Sequence, residues 1–502
     1  MKSIDKRVSR LRAGAPPRVL DLFSGCGGIS LGLDRAGFDI VAGLDHDRGA
    51  METWYFNHRP DLLSRLHDAP SWDVRTVEPA RFFADLGMAG LEDSIDVICG
   101  GPPCQAYSRI GKSKLQSLGG EDAHLWDERG SLYQEFLRFV KAIMPPVVIV
   151  ENVPDSVNYG GDNIPKRICE RLRRLNYRAS WTLLNAVEYG VPQYRQRVFI
   201  LAVHDSVGRD PLVPEPTHFM PRSSDGRAVN DYSASFLEMA RQSPKSHYLQ
   251  PRESIDGLPA AIGTEAALDD LPRIRPMSLP AGVRPCVDVR TLAQYASSRP
   301  RTDYQRLMRS WLGFETDGWV TGNALRNTPR DFPIFRELGE GDHYPEALII
   351  ANRMLEKKVV AAKVRLGREL TKKERSALRK ATVPPYDASK FESKWTKFRR
   401  DRPSHTIVAH LQYDTYSHIH YDGEQARAIT VREAARLQSI PDGFRFLGSM
   451  TDAFKQIGNA VPPLLAHAVG MAMLRCLRVS EDALDHLTAV NQRTRLEVFT
   501  ER

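Results

Sequence analysis

The segment from Arg18 to Asp45 constrains the fold more than any other. Arg18-Val19-Leu20-Asp21-Leu22 has the length and apolar content of a strand, Gly25 to Gly28 make a glycine-rich turn, and Ile29 to Ala36 read as a helix ended by Gly37. Phe38 to Asp45 then read as a second strand that closes on a carboxylate. Strand, tight turn, helix and strand in so short a span predict the opening of a doubly wound α/β sheet. The alternation continues through the first two hundred residues, with Ile95–Cys99, Val147–Val150 and Val198–Ala202 as further buried strands. In open sheets of this kind, chemistry gathers outside the carboxyl ends of the strands. The residues that follow each strand are therefore the candidates.

After Cys99 comes Gly100-Gly101-Pro102-Pro103-Cys104-Gln105-Ala106-Tyr107-Ser108, a cysteine on a loop stiffened by two prolines. A loop cysteine alone is more often structural than reactive. Here Glu151-Asn152-Val153 ends another strand, and Gln193-Tyr194-Arg195-Gln196-Arg197 leads into a third. A thiol, a carboxylate and paired arginines at strand ends suggest nucleophilic attack on a polar, electron-poor ring.

These blocks stand in the order shown by DNA (cytosine-5)-methyltransferases, which the chain resembles, in particular those of prokaryotic restriction-modification type. Asp21-Leu22-Phe23-Ser24-Gly25-Cys26-Gly27-Gly28 is similar to the family's first cofactor block, and Gln456-Ile457-Gly458-Asn459-Ala460-Val461-Pro462-Pro463 to its last. Arg402-Pro403-Ser404-His405-Thr406 and Leu437-Gln438-Ser439-Ile440-Pro441 also match. The resemblance covers roughly residues 18–204 and 402–470 and leaves the family's variable segment between them. It implies a Rossmann-like S-adenosylmethionine-dependent methyltransferase sheet with a second, smaller target-recognition domain. The expected division is a first catalytic and cofactor-binding part over 15–204 and target recognition over 205–450. The chain would return to the catalytic domain over 451–480 and end in a tail, 481–502.

A glycine turn between strand and helix lets a ligand approach backbone N–H groups, and Asp45 lies where a carboxylate would bind ribose hydroxyls. No Gly-x-Gly-x-x-Gly is present, which argues against a dinucleotide. The resemblance identifies the ligand as S-adenosylmethionine. By matching position, Phe23, Gly25, Gly27 and Gly28 line its methionine end, Asp45 takes the ribose, Asp73 reaches the adenine and Asn459 closes the pocket. His46 stands where many relatives carry an aromatic ring. Cys26 reads as a small residue fitted to a tight turn. No metal is expected.

The resemblance also assigns the chemistry. Cytosine C5 is too weak a nucleophile to take a methyl group unaided, and addition of a thiolate at C6 activates it. Cys104 is that thiolate, Glu151 stabilises charge on the ring near N3 and the 4-amino group, Arg197 contacts O2, and Arg195 supports it or a phosphate. The target base must first be flipped out of the duplex. Arg109, Lys112, Lys114 and Gly119-Gly120 suggest a basic lid over the DNA.

Composition is consistent with this. With 502 residues, two domains are expected. No apolar run reads as a membrane span, the N-terminus leads into no signal-peptide core, and six scattered cysteines fit a reducing compartment. A cytoplasmic, nucleoid-associated protein is the expectation. Between Ala351 and Arg400, 16 Lys and Arg face five Asp and Glu, a surplus of 11 in a chain whose net charge is only +8. Helix is expected from Pro345 to Ala381, with Thr371-x-x-Glu374 as a capping box. Such a run is usually a solvated face. Inside a recognition region it points instead to phosphate contacts through Lys372, Lys373 and Arg375. The expected partners are double-stranded DNA and a cognate restriction endonuclease, with no membrane. An RNA (tRNA) cytosine-5 methyltransferase and a non-catalytic DNA-binding regulator are the competing readings. The long insertion between Val203 and Arg402 favours DNA, and the intact Cys104, Glu151 and Arg197 favour catalysis.

Overall fold

A computed structural model describes residues 3–65, 71–103, 132–159, 161–220, 246–279, 283, 285–387 and 394–477. The chain divides into two compact units. One comprises Met1–Ala261, Gln438–Ile440 and the chain from Asn459 onward; the other comprises Ile262–Leu437 and Pro441–Gly458.

The first unit is built on six strands: β1 (Arg18–Leu22), β2 (Asp39–Leu44), β3 (Val97–Gly100), β4 (Val147–Asn152), β5 (Tyr177–Asn185) and β6 (Gln196–His204). Their order is β2-β1-β3-β4-β6-β5, with β1 to β4 parallel. β6 runs antiparallel to both β4 and β5. This reversal positions the site. Because β6 runs backwards, its amino end lies level with the carboxyl end of β4: Asn152 pairs with Val198 and Glu151 with Phe199. Residues that precede β6 thus share an edge with residues that end β3 and β4. The strands are buried on both faces, as continuous Val/Ile/Leu runs require.

The helix Gly28–Arg35 follows the glycine turn, and the closing helix among the described residues, Pro463–Cys476, packs against it at close range. A Cβ at Gly32 would sit 2.4 Å from the Pro463 carbonyl oxygen, so only glycine permits that approach. One departure from the sequence reading concerns hydropathy. Met450–Cys476 is long and apolar enough to cross a membrane by composition, yet 78% of its most apolar window is buried inside the protein. It divides into two helices, Met450–Asn459 and Pro463–Cys476.

The second unit has a core around Phe335, Tyr344, Ile350, Trp395 and Ile419. The long helix Tyr344–Leu366 ends at Gly367, whose φ of 64° closes it in the left-handed region. The next helix, Lys372–Lys380, opens with the expected capping box between Thr371 and Glu374. Another capping box, Thr430 with Glu433, opens the buried helix Val431–Leu437. Around it lies a buried ionic network. Arg427 grips Glu433 through two bonds of 2.7 Å, while Arg436 reaches Asp442 at 2.7 Å and Asp270 at 2.8 Å. Burial alone would raise the Glu433 pKa, but Arg427 and His420 beside it hold it at about 2.

Candidate active site

The site residues of the first unit collect along the carboxyl edge of the sheet. β1 ends at Leu22, and Phe23 (φ 56°), Gly25 (φ 53°) and Gly27 (φ 98°) all adopt left-handed backbone. The turn folds tightly over β2: Ser24 N donates to the Leu44 carbonyl and Gly27 N to the Ser24 carbonyl. Gly27 needs its missing side chain, because a Cβ there would fall 2.2 Å from His58 Nε2. Cys26 is buried in the turn, and burial pushes its thiol up to about 12, as befits a structural residue.

Asp45 follows β2 directly. Its carboxylate accepts Gly25 N at 3.0 Å and Asp47 N at 2.9 Å, so it is oriented by the turn it faces. The Asp45 carbonyl accepts Trp72 N, which carries Asp73 alongside. Asp73 is partly exposed and clasped by Arg75 at 2.6 Å; that hydrogen bond holds its pKa below the ordinary carboxylate value. His46, largely exposed, lies 3.1 Å from Asp45. Asn459 is exposed at the end of its helix.

Beneath the turn lies a residue of the first cofactor block to which the sequence reading gave no role. Asp21, one residue from the end of β1, is fully buried, and Ser30 Oγ donates to it at 2.6 Å. Burial raises its pKa from the usual 3.8 to about 7. Trp54 Nε1 in turn donates to Ser30 Oγ at 3.1 Å. An aspartate inside an apolar strand was the available signal.

At the other end of the edge, Glu151 and Arg197 form an ion pair, Nε to Oε1 2.8 Å, with each side chain about one-eighth exposed. Burial pushes the Glu151 pKa above its ordinary value, against the pull of Arg197 and Arg195. A Cβ at Gly101 would lie 2.8 Å from Glu151 Oε2, so the backbone after β3 passes directly over this carboxyl. Asn152 Nδ2 reaches the Pro102 carbonyl at 3.5 Å. Arg195, buried, donates through Nη2 to the Ala460 carbonyl at 3.0 Å. Cys104 and the lid residues Arg109, Lys112, Lys114, Gly119 and Gly120 lie outside the described residues.

In the second unit, Lys372 and Lys373 occupy the first turn of an exposed helix, and Arg375 reaches Glu356 at 3.4 Å. Elsewhere in this segment Arg353 pairs with Glu337, Arg368 with Glu374 and Arg400 with Glu340. Of these acids only Glu337 and Glu340 lie outside the counted segment, so these pairs offset only a small part of its surplus of 11. Lys390 to Ser393 lie outside the described residues.

A parallel sheet with one reversed strand, a glycine turn at β1 and a carboxylate at the end of β2 define a Rossmann-like methyltransferase. The comparisons narrow the class. The model of the C-5 cytosine-specific DNA methylases matches residues 17–475, and the chain belongs to that family. It is similar to M.OihORF3336P of Oceanobacillus iheyensis, 42% identical over 91% of this chain and 95% of that protein. It is also similar to the type II methyltransferase M.AgeI of Thalassovita gelatinovora, 31% identical over 92% and 99%. A crystal structure of an E. coli prophage DNA modification methyltransferase shares the fold, with a TM-score of 0.56 at 20% identity over 92% of this chain and 99% of that one.

The enzyme's methyl donor is S-adenosylmethionine. The residues suit it. The acceptors there, the Asp45 carboxylate after β2 and the Asp73 carboxylate beside Trp72, have the chemistry to meet ribose hydroxyls and an adenine amine.

Proposed function

We propose that the enzyme methylates C5 of a cytosine flipped out of a specific double-stranded DNA sequence, through a covalent Cys104–C6 adduct. The observation that carries this reading is the Glu151–Arg197 pair on the edge where Gly101 and Pro102 pass. Cys104 stands three residues on from Gly101, a reach of at most about 11 Å. That short span supports a Cys104 thiol acting beside a carboxyl whose pKa burial has raised.

The roles follow from that geometry. The Cys104 thiolate adds to C6, and the ring's electrons move toward N3. Glu151, favoured toward its protonated form by burial, donates a hydrogen bond or its proton at N3 as that charge develops. Arg197 holds Glu151 in place and offers donors to O2. Bound S-adenosylmethionine supplies an electrophilic methyl group. Asp45 and Asp73 would hold its ribose and adenine, Phe23 and the glycines Gly25, Gly27 and Gly28 would line its methionine end, and Asn459 would close over it. After transfer, the C5 proton is lost and Cys104 leaves. Residues 205–450, which contain most of the second unit, would recognise the target, with Lys372, Lys373 and Arg375 on phosphates. Protection of host DNA beside a cognate endonuclease, in a bacterial cytoplasm, is the biological setting that the similar type II enzymes suggest.

The test is methyl transfer by Cys104→Ser. It should lose transfer from labelled S-adenosylmethionine to DNA while retaining binding to both. Appreciable turnover by the variant would overturn the nucleophile.

A further inference from the structure

We propose that Gln193 and Gln438 are positioning residues that lock the Asn459–Val461 turn over the cofactor site and tie it to the arginine strand beside the cytosine site. The inference rests on the reading of Asn459 as the residue that closes the cofactor pocket.

Both glutamines are wholly buried, 0% exposed. Gln193 Nε2 donates to Gln438 Oε1 at 2.5 Å, and Gln438 Nε2 donates to the Ala460 carbonyl at 2.6 Å. Arg195 Nη2 donates to the same carbonyl at 3.0 Å. One oxygen thus collects two donors from segments far apart in sequence, which accounts for both of its lone pairs. Two residues on either side fix the same turn. Ser439, held at a φ of 60°, accepts Leu464 N through its hydroxyl, and a Cβ at Gly28 would lie 2.3 Å from the Val461 carbonyl. The turn therefore rests directly on the glycine turn of the cofactor site. On the other side, the Gln193 clamp leads two residues later to Arg195 and four later to Arg197, the partner of Glu151.

Apolar side chains of similar volume would fill this space without burying two amides. What they would lack is orientation. An amide between a donor and an acceptor is satisfied in one rotamer only, so the chain Gln193–Gln438–Ala460 fixes both distance and direction. That is a property of a site that must be held in register on two sides, not of a core that must only be full.

The experiment uses the full chain and S-adenosylhomocysteine as the probe, in calorimetric titrations of wild type, Gln193→Met, Gln438→Met, Asn459→Ala and the Gln438→Met/Asn459→Ala double variant. Affinity for unmethylated duplex without cofactor is measured alongside. Gln438→Met, which removes both bonds of the clamp, should weaken S-adenosylhomocysteine about tenfold, on the scale of buried hydrogen bonds. Gln193→Met spares the Ala460 contacts and should show a smaller loss of the same sign, which keeps the test usable if Gln438→Met fails to fold. Duplex affinity should be unchanged in both. Removing Asn459 should weaken binding in the wild type and hardly at all once Gln438 is replaced, because a turn no longer held cannot present it. Wild-type affinity in both glutamine variants would overturn the clamp, and so would losses from Gln438→Met and Asn459→Ala that simply multiply. If Asn459→Ala alone has no effect while Gln438→Met still weakens binding, the clamp stands through the turn's backbone and the Asn459 contact is the part that fails.

Discussion

Glu151 and Asp21 show how one physical cause yields two different results at the scale of single residues. Burial raises the pKa of both carboxyls. Glu151 lies against Arg197, where a raised pKa suits its proposed role of donating to a ring that accumulates charge at N3. Asp21, one residue from the end of β1, is fully buried beneath the glycine turn and bonded to Ser30. Its consequence is stability. A carboxyl whose folded pKa is raised from 3.8 to about 7 contributes stability that is fully present below about pH 4 and is lost as the pH rises to about 7. Asp21→Asn keeps the volume and the acceptor for Ser30 but cannot ionise. In denaturant titrations at pH 5 and pH 8, the variant should therefore lose less stability between the two pH values than the wild type does, by about 2–3 kcal/mol. An equal pH dependence in the two proteins would mean that Asp21 is not held protonated by the fold.

At the scale of elements, the sheet, its glycine turn and the closing helix were legible because their periodicities are local. β1 carries the bounds read from sequence, and the helix after the turn begins one residue earlier than expected, at Gly28. The reversal of β6 was not legible. A strand buried on both faces presents the same apolar run whichever way it points, and only its pairing with β4 reveals its direction. The buried helix Val431–Leu437 was also missed as an element, although Thr430-x-x-Glu433 carries a capping-box signature. Its three charged residues carry no local sign of burial, because the Asp270 and Asp442 carboxylates that meet Arg436 are brought to it by the fold. The pairing of Gln193 with Gln438 was hidden for the same reason. Gly32 tests the element packing by sign. Helix propensity favours alanine over glycine by about 1 kcal/mol at an unconstrained position. Here the added Cβ would fall 2.4 Å from the Pro463 carbonyl and push the closing helix away. Gly32→Ala should accordingly lower the melting temperature in calorimetry. A rise would show that the two helices are less tightly packed than this.

For the whole molecule, positive charge is concentrated between Ala351 and Arg400, where 16 Lys and Arg face five Asp and Glu. Lys372 and Lys373 stand in the first turn of their helix, where the dipole disfavours cations, so helix stability does not explain them. Arg375 pairs with Glu356 at 3.4 Å, but both are mostly exposed and such a pair holds little. If the three side chains contact phosphates, neutralising them together should flatten the dependence of log affinity on log salt by about 2.7, at about 0.9 per contact. Cognate and non-cognate duplexes should weaken alike, and the methylated sequence should not change. A wild-type salt slope in the triple variant would make this helix a solvated face, and an altered methylation sequence would place base reading on it.

The central claim, that Cys104 adds covalently to a cytosine ring, is tested most directly by trapping. A duplex library containing 5-fluorocytosine is incubated with the enzyme and S-adenosylmethionine, and the denatured complex is digested and mapped by mass spectrometry. Fluorine at C5 leaves no proton to remove, so the adduct cannot resolve. The account predicts a nucleotide carrying both fluorine and a methyl group, bound to the peptide that contains Cys104. A digest with no adduct, under conditions where the same enzyme methylates ordinary DNA, would contradict it, as would an adduct on any other residue.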